Sequence, residues 1–274
     1  MSWMCEAAGL STSGYFAWRG RSPSRRKQED QRLLVLTRAS FQTSKQTYGS
    51  PRITRDLREK EGELCSRHRV ARIMRDHGIM AIQRRSFRRT TDSNHAYPVA
   101  ENLLNRDFEV DEPNRVWLAD ITFIGTEAGW LYLAVLLDLF SRLVVGWAAD
   151  SRIDRFLALM ALRRTLRSRR PDPGWIHHSD RGSVFASYDY QDEIDGAQGI
   201  CSMSRKGDCW DNAPMESFFG TLKQELIHRR RYWGREEAIE DLAEYLTFYN
   251  HDRRHSSIGG ISPVEYEKRM RNLT

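Results

Sequence analysis

The sequence predicts an α/β domain preceded by a small all-α domain of helix-turn-helix type. Two textures and one charge split carry that expectation. The first third reads as short helices broken by turns, whereas from Arg115 onward apolar stretches bounded by turn signals read as strands and then give way to strand–helix alternation. Residues 1–91 hold 20 Lys and Arg against 8 Asp and Glu, and the rest of the chain holds 23 against 29. A net charge of +6 over 274 residues therefore hides a basic front end on an acidic body, the footprint of a polyanion binder joined to something else.

In the front end, PRITRDLREK starts a helix near Pro51 and turns Ile53 and Leu57 inward. The segment EGELC turns the chain. Ser66 then caps a helix through RHRVARIMRDH that Gly78 closes, with Val70, Ile73 and Met74 on one face. Arg67, Arg69, Arg72 and Arg75 spread around the remainder, and two short helices joined by a turn fit a helix-turn-helix. Arg69 and Arg72 are the candidate DNA contacts; the competing reading makes these arginines a solvated helix face. RRSFRR (84–89) follows, then a polar stretch with Pro98 and Pro113.

The body opens with three strands, RVWLADITFIG (115–125), GWLYLAVLLDLF (129–140) and RLVVGWAA (142–149), tightly joined and hence antiparallel. An amphipathic helix over 153–170 comes next. After it the chain runs through a strand (174–180), a helical stretch near 184–194, a strand (199–204), a helix from Ala213 to Ile227 and a last helix over 235–250. That order gives a sheet with a three-stranded antiparallel start and parallel additions. The divisions expected are 1–90 for the basic helical region, 91–112 for a linker, 113–228 for the α/β core, and 229–274 for a C-terminal helix and basic tail.

Several classes are excluded. A hydrophobic content of 40% with 29% charged residues suits a globular chain and not a disordered one. The longest apolar run, near 131–137, ends at Asp138 and is far shorter than the roughly 18 residues of a membrane span. No membrane partner is expected. The start of the chain lacks a secretory signal, and four scattered cysteines suit reduced thiols, so the expected location is the cytoplasm. Cys65, His68 and His77 lack the second cysteine that a zinc site would need.

Three carboxylates stand out. Alternation puts Asp120 on one face of the first strand with Leu118 and Thr122, and a carboxylate among large apolar residues is costly unless paired or bound to a cation. Asp180 ends the fourth strand at the usual location of a ligand site in an open sheet. Glu216 lies in the first turn of the helix begun by Asn212 and Pro214. Converging, the three would hold one or two Mg²⁺ ions, which take oxygen ligands and keep substrate phosphates in their shell. Each alone also has a plain structural reading: Asp180 as a turn residue, Glu216 as a favourable first-turn charge. Lys223, two turns beyond Glu216 on nearly the same face, could hold a phosphate beside them, and is otherwise a surface lysine.

The stretches WLADITFI, GWLYLAVLLDLFSRLVVGW, HSDRGS, GDCWDNAPMESFFGTLKQEL and YNHDRRHSSIGGISP, with YGSPRI and HRVARIMRDHGI upstream, resemble bacterial insertion-sequence transposases of the DDE type. They look most like the catalytic protein, from the second reading frame, of the insertion-sequence-three family, which is related to retroviral integrases. Thirty-five residues separate Asp180 from Glu216, the spacing of the DD(35)E signature. The resemblance implies an RNase H-like, retroviral integrase-type core in which Asp120, Asp180 and Glu216 bind two Mg²⁺ ions, with Mn²⁺ as a substitute. It implies cleavage at the element's ends and strand transfer into target DNA, with Lys223 and His178 near the DNA. Implied partners are double-stranded DNA, further copies of the chain, and the helix-turn-helix protein of an upstream frame. No sustained heptad occurs, so the chain looks like the downstream product alone. Val184 stands where relatives carry glutamine, and Ala119 where threonine is common. Asp138 reads as structural. The other functions weighed are a catalytically inactive DNA-binding regulator of a parental element and a nuclease without strand transfer.

Overall fold

The computed structural model describes residues 2–81, 97–206 and 208–272. The chain falls into two compact units, Met1–Ala81 and Ile82–Thr274. RRSFRR and the first part of the expected linker lie outside the described residues.

The first unit is all helical: α1 (Ser2–Ala7), α2 (Thr12–Arg19), α3 (Arg25–Thr43), α4 (Ser50–Lys60) and α5 (Arg67–Asp76). Ser66 caps α5 by accepting the Arg69 N–H, and Pro51 opens α4, both as the sequence predicts. Ile53 and Leu57 of α4 pack with Val70, Ile73 and Met74 of α5 and with Leu33 of α3 in a single small core. The 19-residue α3 exceeds the short helices expected here. Its mean composition is strongly polar, so periodicity gave little signal; tertiary contacts through Leu33 and Thr37 hold it.

The second unit is built on a five-stranded sheet of order β3-β2-β1-β4-β5. Strands β1 (Val116–Thr126), β2 (Gly129–Asp138) and β3 (Val144–Asp150) are antiparallel, and β4 (Ile176–Ser179) and β5 (Ile200–Met203) add in parallel. Helices α6 (Arg155–Arg169) and α7 (Tyr188–Gly196) cover one face over Trp117, Ala119, Ala134 and Trp175. Helices α8 (Ala213–Glu225) and α9 (Arg235–His251) cover the other over Leu118, Leu133, Val135 and Leu137. Side-chain alternation along β1 is what sorts these two sets. Close packing on the first face depends on Gly146 of β3, where a Cβ would collide with Thr165 of α6.

Two expected divisions differ from what is observed. Within 97–112, Leu104 is buried in the core and Phe108 and Val110 pack against it, so this part of the expected linker is fastened to the α/β unit. The Leu103 N–H donates to Ser202 Oγ on β5, which ties it to the sheet edge. The expected basic tail is likewise not a tail. Arg253, Arg254 and His255 are buried, and α10 (Pro263–Arg271) follows them. Arg253 is buried because it meets Glu225 of α8, 2.7 Å away, a partner that local polarity could not reveal.

Candidate active site

Residues of β1 and β4 pair in parallel from Val116↔Ile176 to Ala119↔Ser179. Asp120 and Asp180 are the next positions in that register, so the ladder sets them side by side where β4 stops. Beyond this point, among the described residues, residues 120–126 of β1 pair with β2 alone. Asp120 Oδ1 accepts the Ile121 N–H at 2.7 Å, and Asp180 Oδ1 accepts the Gly182 N–H at 2.9 Å. A Cβ on residue 182 would itself come within 2.9 Å of that carboxylate oxygen, so a side chain there would displace the Asp180 carboxylate from this position. Glu216 is exposed in the first turn of α8.

The carboxylates feel one another. Burial first, then the charge of Asp180, and less strongly that of Glu216, push the Asp120 carboxyl well above the usual range. A cation between them would relieve that repulsion, and an all-carboxylate donor set suits a hard divalent ion. Among the described residues no three His, Cys, Asp or Glu side chains are already gathered at metal-holding distance. The arrangement is therefore adjacent acids without a closed ligand cage.

Lys223 is 8% exposed, with its Nζ 4.9 Å from the centre of the Phe123 ring. Burial lowers its pKa, and the charge of Asp120 acts in the opposite sense. It is thus a buried cation of the carboxylate site, not a surface lysine.

His178, expected near DNA, presents no exposed surface in this fold. It is completely buried, with Nδ1 2.8 Å from Ser202 Oγ and Nε2 3.2 Å from Ser204 Oγ. Burial pushes its pKa down to about 4, so it is a neutral tie between β4 and β5 at neutral pH.

Arg69 and Arg72 are also engaged within their own unit. Arg69 Nε donates to Asp30 Oδ1 at 2.7 Å and Arg72 Nη2 to Asp30 Oδ2 at 2.6 Å, with Glu29 and Asp76 as further partners. Both brace α5 against α3. Arg67, His68 and Arg75 are the exposed basic side chains of α5.

Asp138 is structural, as expected: it accepts the Asn114 and Ser141 N–H groups and is fully buried. Val184 packs with the Trp175 cluster on the sheet face opposite Asp120, as does Ala119. Asn212 occupies the N-cap position of α8 without a side-chain cap bond; its amide reaches toward the Ala119 carbonyl instead.

Sequence reasoning missed Asp211. This buried carboxylate accepts Arg205 through its backbone N–H, Nε and Nη2, together with Arg106 Nε and Asn102 Nδ2. Those hydrogen bonds, Arg205 foremost, hold it far below the usual carboxylate range. The cage fixes the turn that leads into α8 and so the position of Glu216. No periodicity marks it, because its partners lie as far as 109 residues away.

Comparison with known proteins agrees with this architecture. An HTH-like domain matches residues 28–87, and an integrase core domain matches residues 110–209 and 199–263. The chain is 45% identical over 98% of its length to the insertion element IS600 uncharacterized 31 kDa protein of Shigella sonnei, covering 99% of that protein. It is 40% identical over 97% of its length to transposase InsF for insertion sequence IS3A of Escherichia coli (strain K12), covering 93% of it. A chain of the simian T-cell lymphotropic virus intasome in complex with PP2A regulatory subunit B56 gamma superposes with a TM-score of 0.51 at 16% identity, over 80% of this chain and 70% of that one. The fold is thus RNase H-like, that of an integrase catalytic core, and the chain belongs to the IS3-type insertion-sequence transposase family.

Proposed function

We propose that this protein cleaves DNA at the ends of an insertion sequence and joins the freed 3′-hydroxyl to a target strand, with Asp120, Asp180 and Glu216 as its catalytic carboxylates. The observation that supports it best is the side-by-side register of Asp120 and Asp180 where β4 stops, with the charge of Glu216 reaching Asp120. The three residues would hold two Mg²⁺ or Mn²⁺ ions. When bound, such a pair activates the attacking oxygen and stabilises the leaving one in an in-line displacement at phosphorus.

The chain's own contribution is preorganisation. The β1–β4 ladder and the Ile121 and Gly182 N–H groups orient the two aspartates, while the Asp211 cage fixes the start of α8. Lys223 supplies a buried positive charge that draws a DNA phosphate toward the carboxylates; low dielectric strengthens that attraction. In the helical unit, Arg67 and Arg75 of α5 contact DNA, and Arg69 and Arg72 hold α5 in place for them. The substrate is double-stranded DNA at the nucleoid. Because two ends must meet, the working form is a homo-oligomer, and the upstream-frame protein is the natural partner for end recognition.

DNA carrying the element's ends, incubated with Mg²⁺ or Mn²⁺ and with or without the upstream-frame product, tests this. Nicked ends and joined strands from the wild type, both lost in Glu216→Gln, are expected. Joined product from the variant would overturn the site assignment. DNA binding without cleavage would favour a regulator, and cleavage without joining a nuclease.

A further inference from the structure

Phe123 lies on β1 three residues beyond Asp120, on the stretch that, among the described residues, pairs with β2 alone. Lys223 reaches it from α8, and its ammonium sits 4.9 Å from the centre of the Phe123 ring. A second aromatic closes the arrangement: Trp130 meets Phe123 edge-to-face, with ring centres 5.2 Å apart and planes at 86°. The hairpin carrying Trp130 is held by α9, whose Arg235 Nε donates to the Trp130 carbonyl at 3.0 Å. Both rings are partly exposed, Phe123 by 37% and Trp130 by 53%, so neither is there chiefly to fill the core. A lysine stem has four rotatable carbons and loses much freedom when its tip is fixed. An ammonium over a ring face gains from the negative face of the π system, and more so where water is excluded.

We propose that Phe123, propped by Trp130, is the positioning residue that seats the Lys223 ammonium beside the carboxylate cluster. The ring acts through Lys223 and touches neither the acids nor the phosphate. Its role in catalysis rests on the reading of Lys223 as the phosphate-holding cation; the seat itself does not.

Two measurements on the full-length protein separate these. First, reductive methylation with ¹³C-formaldehyde labels the six lysines. The Lys223 methyl resonance, assigned by its loss in Lys223→Gln, should lie upfield of the others through the ring current. Phe123→Leu should return it to the common position, and Phe123→Tyr should keep it shifted. An unshifted Lys223 resonance in the wild type, or one that Phe123→Leu leaves in place, overturns the seat whether or not the protein is active.

Second, unmodified protein is assayed for end cleavage. Phe123→Leu should lower the rate at limiting DNA about tenfold, corresponding to a desolvated cation–π contact, and Phe123→Tyr should restore most of it. In a Lys223→Gln background Phe123→Leu should change nothing further, because the ring then has no cation to hold. An equal, additive loss in that background overturns the positioning role. Wild-type inactivity with a shifted Lys223 resonance would count against the proposed function and leave the seat standing.

Discussion

Arg253→Met should unfold the α/β unit far more readily than its location in a polar C-terminal segment suggests. The Arg253 and Glu225 side chains are 7% and 9% exposed, with Nη2–Oε1 at 2.7 Å and Nε–Oε2 at 2.8 Å. Tyr245 OH adds a bond to Glu225 Oε2 at 2.9 Å. An exposed ion pair is worth about 0–1 kcal/mol, but removing one member of a buried pair strands the other charge and costs about 3–5 kcal/mol. The upper part of that range is tempered here because Tyr245 still donates to Glu225. Replacing both members removes the stranded charge, so Glu225→Gln with Arg253→Met should recover most of the loss. Urea unfolding followed by near-ultraviolet circular dichroism gives the comparison, provided the slope with denaturant is unchanged. If Arg253→Met lies within 1 kcal/mol of wild type, or the double variant is no better than the single one, the pair is not an anchor. Glu225 ends the helix that begins near Glu216, so end cleavage should fall in parallel with stability.

Other perturbations test other links. Asp120→Asn should raise the melting temperature in EDTA, because it removes a carboxylate strained by burial and by Asp180; added Mg²⁺ should stabilise the wild type and not the variant. An unchanged melting temperature in EDTA would mean that the acids do not oppose one another. His177 and His178 have pKa values pushed down to about 3 and about 4 by burial. Their unfolded values are near 6.5, so the unfolded chain takes up protons first; stability is full above about pH 6.5 and is lost as pH falls toward the folded values, by about 3 kcal/mol from His178 alone at pH 4. Urea midpoints between pH 7 and 4.5 that do not move, or that match those of His178→Asn, would refute this. Arg69→Ala with Arg72→Ala should accelerate amide exchange in α3 and α5 while leaving the salt slope of DNA binding nearly unchanged, whereas Arg67→Ala with Arg75→Ala should flatten that slope. A flattened slope in the first pair would restore Arg69 and Arg72 as phosphate contacts.

Much of this molecule was legible in the sequence. Apolar stretches bounded by turn signals placed β1, β2 and β3, and alternation along β1 sorted Leu118, Asp120 and Thr122 from Trp117, Ala119 and Ile121, because a strand's two faces meet different layers. Capping chemistry placed α4 and α5. Spacing and local context singled out Asp120, Asp180 and Glu216, since strand ends and helix starts are local events. What periodicity reports is whether a side chain is buried; it is silent on what that side chain meets. Arg69 and Arg72 read as free cations because Asp30 lies about forty residues earlier. His178 read as a site residue, but Ser202 of β5 and Ser204 just beyond it occupy both ring nitrogens. Arg253 read as tail because Glu225 is 28 residues away, and Asp211 had no signal because part of its cage, Asn102 and Arg106, comes from more than 100 residues earlier. The sequence by itself determined the fold class and the antiparallel start of the sheet with its parallel additions, and it singled out the acids. Only the tertiary structure decided which charges were already spoken for, because a buried ion must find its partner wherever the fold brings one.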